Sequence, residues 1–306
     1  MNWQDSFKFR LAEFLRAEQF IFDAPMREHT TFKIGGSADV LIFPSNAADV
    51  SKIFKLVNEF RLPCVILGNG SNVLVRDKGI RGVVVKFTEK FFGDIRCEGQ
   101  RLTACAGAKL KDVSICAAQH GLTGMEFACG IPGSIGGAIF MNAGAYDGEM
   151  KNTVASVKAV NCNGELIEFS GSSLHLGYRH SIFQENGCAI CEVELILQRG
   201  NVDEIKRKME DLTARRESKQ PLDMPSAGST FKRPKGHFAG TLIDKAGLKG
   251  LRIGGAMVSE KHAGFVVNTG GATANDVLTL IEEVKRRVCE VHGVTLSPEV
   301  RIIGEE

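Results

Sequence analysis

The sequence predicts an α+β protein of more than one domain, and three observations carry that expectation. Short β-rich runs (ADVLIF, LPCVILG, SNVLV, GVVVKF) follow one another between Ala38 and Phe87, with a single amphipathic helix among them. A second block of strands and helices runs to about residue 200, where the texture changes to the charged helix DEIKRKMEDLTARRESK. The length, 306 residues, suffices for two or three domains. The expected division is a helical leader over residues 1–25, then segments 26–92, 93–200 and 201–306.

The elements follow in order. Residues 1–25 read as a helix closed by Pro25, and the charges scattered through MNWQDSFKFRLAEFLRAEQF exclude a signal peptide. Val50, Ile53, Phe54 and Val57 have the i, i+3, i+4, i+7 spacing of a half-buried helix. RLTACAG reads as a strand, and Leu110, Val113 and Ala117 mark a helix. VASVKAVN, GELIEFS and AICEVELILQ read as strands, with Asn163-Gly164 as a two-residue hairpin turn. The charged helix stops before Pro221. Beyond it AMVS, GFVVNTG and VRIIG are strands, and one strong helix carries Val277, Leu280, Ile281, Val284, Val288 and Val291 on one face.

Composition excludes several classes. With 43% hydrophobic and 24% charged residues the chain is globular, not disordered. A net charge of +2 provides no footprint for wrapping nucleic acid. No run of about 18 apolar residues offers a membrane span. The nine scattered cysteines read as reduced thiols of a cytoplasmic protein. Cys188 and Cys191 have CxxC spacing but sit in a strand, so core thiols are the reading and a redox or metal pair the alternative. The seven histidines form no i, i+4 pair, so no metal site is expected.

Glycine carries the strongest signal. Of 34 glycines, 12 fall in residues 68–82 and 121–148. The first cluster, built on Gly68, Asn69, Gly70, Ser71, Asn72, Val73 and Leu74, is not a dinucleotide fingerprint. Val73 stands at the third glycine position and a strand follows where a helix should. What remains is a strand–turn–strand nest whose amides suit a pyrophosphate, with a plain β-turn as the alternative. The second cluster places Gly130, Ile131, Pro132, Gly133, Ser134, Gly136 and Gly137 ahead of a small-residue helix, followed by Asn142, Gly144 and Ala145. A helix start aimed at phosphate is the expected use, and close packing in a buried turn the alternative.

HTTFKIGGSADV, GNGSNVLVRDKGIRG, ACGIPGSIGGAIFMNAGAY, YRHSIF, SAGSTFKRP and SPEVRIIG together resemble the UDP-N-acetylenolpyruvoylglucosamine reductase (MurB) flavoenzymes. The motifs run in that family's order from His29 to Gly304. The resemblance implies a two-subdomain FAD-binding fold of the vanillyl-alcohol-oxidase (PCMH) type plus a C-terminal α/β substrate-binding domain. It implies non-covalent FAD held by the two glycine loops, which argues against Cys129 as a flavin tether. It also implies NADPH as reductant, and reduction of UDP-N-acetylglucosamine enolpyruvate to UDP-N-acetylmuramate in peptidoglycan precursor synthesis. A monomer or weak oligomer is expected.

The resemblance further implies site residues. Ser229 matches the proton donor, Arg179 the arginine that polarises the substrate carboxylate, and Glu299 the acid that assists at the enolate. Each has a second reading: a turn serine after Gly228, a surface ion-pair residue, and a strand-closing glutamate. Tyr178 is expected near the substrate. Arg216, Lys219 and Lys232 lie in segments suited to substrate or NADPH phosphates, with a solvated helix face as the alternative for Arg216. No tyrosine follows Tyr178, so the chain resembles the family's shorter class. The rival functions are a same-fold FAD oxidase or dehydrogenase of another sugar or alcohol, and a non-catalytic nucleotide-binding protein.

Overall fold

The computed structural model describes residues 3–306. The chain divides into two compact units. Unit 1 is built from Met1–Phe22, Val40–Asn69 and Gly82–Arg215, and unit 2 from Asp23–Asp39, Gly70–Arg81 and Arg216–Glu306. This differs from the four consecutive segments expected. The main boundary falls at 215/216, late in the charged helix Val202–Lys219, and two short early segments belong with the C-terminal part.

A four-stranded sheet with most of its residues in unit 1 and a five-stranded sheet wholly in unit 1 are that unit's larger sheets. The first has the order Phe20–Pro25, Ser37–Ile42, Ile80–Lys86, Cys64–Leu67. Its last two strands are parallel, with Cys64 opposite Val83. A parallel pair needs a crossover, so the glycine loop after Leu67 is a connection and not a hairpin turn. Helix Ala47–Glu59 starts where the Asn46 side chain accepts the Asp49 N–H, and it buries Val50, Ile53, Phe54 and Val57 as the spacing foretold. The second sheet is antiparallel, in the order Leu166–Ser170, Val154–Val160, Ala189–Ile196, Arg101–Cys105, Ile95–Glu98. Cys188 and Cys191 are buried in the core of this unit, and burial pushes the Cys191 thiol up to about 12.

Unit 2 is organised by helix Ala274–His292. Thr273 and Asp276 form a reciprocal capping box at its start, and Gly293 closes it in the left-handed conformation. Val277, Leu280, Ile281, Val284 and Val288 pack into a core with Phe32, Ile34 and Leu74. Each such burial stabilises by roughly 1.5–3 kcal/mol. An antiparallel sheet runs Ser226–Ser229, Phe265–Asn268, Ala256–Val258, Arg252–Ile253. Val73–Val75 pairs in parallel with Arg301–Ile303.

Three local expectations and one alternative reading are corrected. The N-terminal helix spans Trp3–Ala12, and Phe20–Pro25 is a strand whose burial alternates in the strand period; Met1 and Asn2 lie outside the described residues. Val291 is 58% exposed, one turn beyond the last core contact of its helix. The hairpin at Asn163-Gly164 has a three-residue loop, because the Asn161 N–H still donates to the Glu165 carbonyl and Gly164 takes φ +78°. Ser229 ends a strand, Ser226–Ser229, and is not a turn serine.

Candidate active site

In unit 1 the two glycine-rich segments meet. A Cβ on Gly68 would lie 2.6 Å from Ser134 Oγ, so only glycine admits the approach. Asn69 Nδ2 donates to the Pro132 carbonyl at 2.9 Å. Ser134, 2% exposed, accepts the Gly137 N–H at 3.3 Å and so starts the helix Ile135–Phe140. Gly136 donates to the Ala106 carbonyl at 3.0 Å, and Leu110 N–H donates to the Gly133 carbonyl at 2.9 Å. Ile131 N–H is turned inward to the Ala128 carbonyl, while Gly130 at the start of this loop is half-buried.

Beside this junction lies a cavity of about 230 Å³, lined by Asn69, Lys86, Thr88, Gly107, Lys109 and Ser134 with Phe87, Glu89 and Lys90. Thr88 Oγ1 is buried without a hydrogen-bond partner. Lys86 is 8% exposed, and burial lowers its ammonium to about 8. Lys109 pairs with Glu89. A phosphate fits this donor set. It would offset the desolvation of Lys86 and give the Thr88 hydroxyl an acceptor. Lys86, Thr88 and Lys109 were not among the residues expected from sequence. The available signal was a lysine at the end of the otherwise apolar run GVVVKF.

Arg179 stands on a two-residue turn. Gly177 and His180 exchange N–H···O bonds of 3.1 Å, which leaves Tyr178 and Arg179 as the central pair. Arg179 has φ +55°, a left-handed conformation that costs a side-chain-bearing residue roughly 1–2 kcal/mol. Its guanidinium lies 5.2 Å from the centroid of the exposed Tyr178 ring. The turn is held from outside. Gln184 Nε2 donates to the Arg179 carbonyl at 3.0 Å and to the Phe140 carbonyl at 2.8 Å. Asn142 Nδ2 donates to the Gly177 carbonyl and to Glu149, each at 3.0 Å, and its Oδ1 accepts the Lys151 N–H at 2.9 Å. Asn142 is 1% exposed. Its side chain bonds the Gly177 carbonyl of the Arg179 turn as well as Glu149 and Lys151. Gly144–Ala145 pairs with Gly148–Glu149 around Tyr146 and Asp147, both at positive φ.

Unit 2 gathers a second set. Gly70 has φ +69°, and a Cβ there would lie 2.6 Å from the His29 carbonyl. The Gly70 carbonyl accepts the Thr31 N–H at 3.2 Å, and Thr31 Oγ1 donates to the Ser226 carbonyl at 2.7 Å. Asn72 Nδ2 donates to the Glu299 carbonyl at 3.3 Å, and Glu299 N–H donates to the Thr230 carbonyl at 2.8 Å. Gly228, at φ +74°, would hold a Cβ 4.0 Å from the Ser71 carbonyl. Ser71, Asn72, Ser229 and Glu299 are thereby drawn together on bonded segments, with Ser229 exposed and Glu299 half-buried. Val73 and Leu74 are ladder positions opposite Arg301 and Ile302. Leu74, expected at the cofactor, is fully buried in the core of this unit. Lys232 is exposed three residues beyond Ser229, its N–H donating to the Ser297 carbonyl at 2.8 Å. Arg216 and Lys219 occupy the last turn of Val202–Lys219.

Comparison with known proteins bears on both sets. An FAD-binding domain family matches residues 38–170, which include both glycine clusters. The C-terminal domain family of UDP-N-acetylenolpyruvoylglucosamine reductase matches residues 220–303, which include Ser229 and Glu299. A UDP-N-acetylenolpyruvoylglucosamine reductase of Clostridium perfringens is 53% identical over 306 residues, all of both chains. That of Clostridium kluyveri is 48% identical over the same full length. The chain belongs to the UDP-N-acetylenolpyruvoylglucosamine reductase family. It is accordingly an FAD-binding oxidoreductase. The crystal structure of the family's member from Thermus caldophilus superposes with a TM-score of 0.79 at 35% identity, over 93% of this chain and 98% of that one. A Phl p 4 variant described as a glucose oxidase shares the fold alone, with a TM-score of 0.50 at 12% identity over 64% of this chain. Among the described residues no helix is long and apolar enough to cross a membrane, and no group of three or more His, Cys, Asp or Glu could hold a metal.

Proposed function

We propose that the chain reduces the enolpyruvyl group of UDP-N-acetylglucosamine enolpyruvate to the lactyl ether of UDP-N-acetylmuramate, a cytoplasmic step of peptidoglycan precursor synthesis on which wall growth and cell division depend. When bound, FAD supplies the hydride for this reduction after taking it from NADPH. Within unit 1, the segments before and after residue 92 act as the two cofactor subdomains. Gly68, Asn69, Ser134 and the following amides, with Lys86, Thr88 and Lys109, hold the anionic part of the cofactor. Gly70, Ser71 and Asn72, expected from sequence at the cofactor, belong to unit 2. The protein works as a monomer or weak oligomer.

The remaining chemistry falls to side chains. Hydride addition to the methylene carbon pushes charge onto the substrate carboxylate, so a fixed cation must meet it. Arg179 has that role, and its strained, externally bonded turn supports it: a residue held against its backbone preference is a common mark of a functional position. Ser229 Oγ gives its proton to the neighbouring carbon. A hydroxyl is a poor acid alone, so it needs a group that stabilises the developing charge or restores the proton. Glu299 is that group. The single observation carrying this assignment is the backbone bond from Glu299 N–H to the Thr230 carbonyl, which fixes the glutamate beside the serine's strand. Tyr178, Arg216, Lys219 and Lys232 meet the rest of the substrate, the cations serving its diphosphate or the phosphates of NADPH. Incubation with NADPH and the enolpyruvyl sugar should yield a product heavier by two hydrogens. Unchanged sugar would overturn the reading.

A further inference from the structure

The loop that leaves the Ser229 strand has a feature the reaction chemistry does not require. From Thr230 to Ile243 the chain contains Lys232, Arg233 and Lys235 and no acidic residue. Within it the Phe238 ring is left 59% exposed, with the Arg233 guanidinium 3.9 Å from its centroid. The loop is ordered by its own turn: the His237 N–H donates to the Pro234 carbonyl at 3.1 Å, and Gly236 takes φ +77°. Both ends are fixed to the serine's surroundings. At one end the Lys232 N–H is bonded to Ser297, two residues before Glu299. At the other, Gly240 would hold a Cβ 3.3 Å from the Gly264 nitrogen, and the Gly264 carbonyl accepts the Thr230 N–H at 2.8 Å. Phe238 is therefore two residues from a backbone contact that leads directly to the neighbour of Ser229.

The geometry points to Phe238 as the stacking platform for the uracil of the substrate, with Arg233 and its flanking lysines facing the diphosphate. An exposed aromatic ring with a guanidinium already stacked on it presents a flat surface and positive charge together, which is what a nucleoside diphosphate needs. A lone exposed apolar residue is ordinary on a protein surface. An aromatic ring in a cation-only loop, tied at one end to Ser297 and at the other through Gly264 to Thr230, the residue after the proposed proton donor, is a built arrangement. The inference rests on the function proposed above, and it makes Phe238 a substrate-affinity residue, not a catalytic one.

The test uses the flavin-loaded full chain and titrates UDP, and separately inorganic pyrophosphate, by calorimetry. Phe238→Ala and Phe238→Leu should each weaken UDP binding about tenfold and leave pyrophosphate binding unchanged, because stacking contributes on that scale and the phosphate contacts remain. Phe238→Tyr should bind UDP like the parent. In turnover, KM for the enolpyruvyl sugar should rise with kcat unchanged. Leu keeps the apolar bulk, so a fold lost in the alanine variant leaves the leucine variant to decide. Equal UDP affinity in the parent and Phe238→Leu would overturn the platform, as would equal losses for UDP and pyrophosphate. Absence of UDP binding to the parent would also overturn it, whereas the function proposed above fails only if the enolpyruvyl sugar is not reduced.

Discussion

Lys86 offers a perturbation whose size can be worked from the structure. Its ammonium is lowered by burial from 10.5 to about 8. A tenfold change in proton affinity is worth about 1.4 kcal/mol, so keeping this lysine charged costs the flavin-free fold on the order of 3 kcal/mol. The sign follows from proton counts. Between about pH 8 and 10.5 the unfolded chain holds a proton that the folded protein has released, so stability rises with pH across that window. The cost is present in full below about pH 8 and absent above 10.5. Lys86→Met keeps the length and removes the charge. Urea unfolding of flavin-free protein should show the variant more stable by about 2–3 kcal/mol at pH 7, with the advantage vanishing by about pH 10.5. FAD retention should move the other way, because the variant lacks a cation at the cavity, and the parent should release FAD more readily as pH rises past about 8. Parallel stability profiles for parent and variant from about pH 7 to 10.5 would refute the burial argument. Unchanged FAD affinity would refute the placement of phosphate in that cavity.

Other substitutions test separate links. Ser229→Ala should leave reduction of the flavin by NADPH nearly intact and slow reoxidation by the enolpyruvyl sugar by about 10²–10⁴-fold, as expected for a lost proton donor; stopped-flow absorbance that showed both half-reactions falling equally would make the serine structural. Gly70→Val should strip FAD from the purified protein, since its Cβ would stand 2.6 Å from the His29 carbonyl at a left-handed φ; full flavin content would disprove the role of that loop. Asn142→Ala removes three hydrogen bonds of a buried side chain, one of them to the Gly177 carbonyl of the Arg179 turn. It should cost about 1–3 kcal/mol in thermal or urea unfolding and lower kcat more than it changes FAD content; normal kcat in a destabilised variant would separate the turn from catalysis.

Much of the fold was legible because period and burial agree. Val50 to Val57 and Val277 to Val288 lie on helix faces that meet a core, so the pattern in the sequence is the pattern of contacts. Phe20–Pro25 was not legible. Its two phenylalanines continue the apolar content of the preceding helix, and only pairing within the sheet separates strand from helix there. The boundary near residue 200 marked the start of the charged helix, whereas the compact units divide near its end. A change in composition reports an element, and a domain is defined by long-range contacts. The same distinction runs through the site. Glycine density located both loops, since a left-handed φ or a close approach such as Gly68 to Ser134 requires that residue type. It could not show which side chains bond within the protein, as Asn142 does to the Gly177 carbonyl, or which are buried in a core, as Leu74 is. Lys86 and Thr88 were hidden for the converse reason. Nothing about a lysine after three valines shows that it is buried beside an unpaired hydroxyl until the sheet and the second glycine loop are folded around it.

The most direct measurement is the rate of NADPH oxidation by the purified, flavin-loaded protein with and without UDP-N-acetylglucosamine enolpyruvate. A substrate-driven reductase should consume NADPH slowly with oxygen alone and rapidly once the sugar is added, with one UDP-N-acetylmuramate formed per NADPH. A rate that does not depend on the sugar, or NADPH consumed without that product, would contradict it.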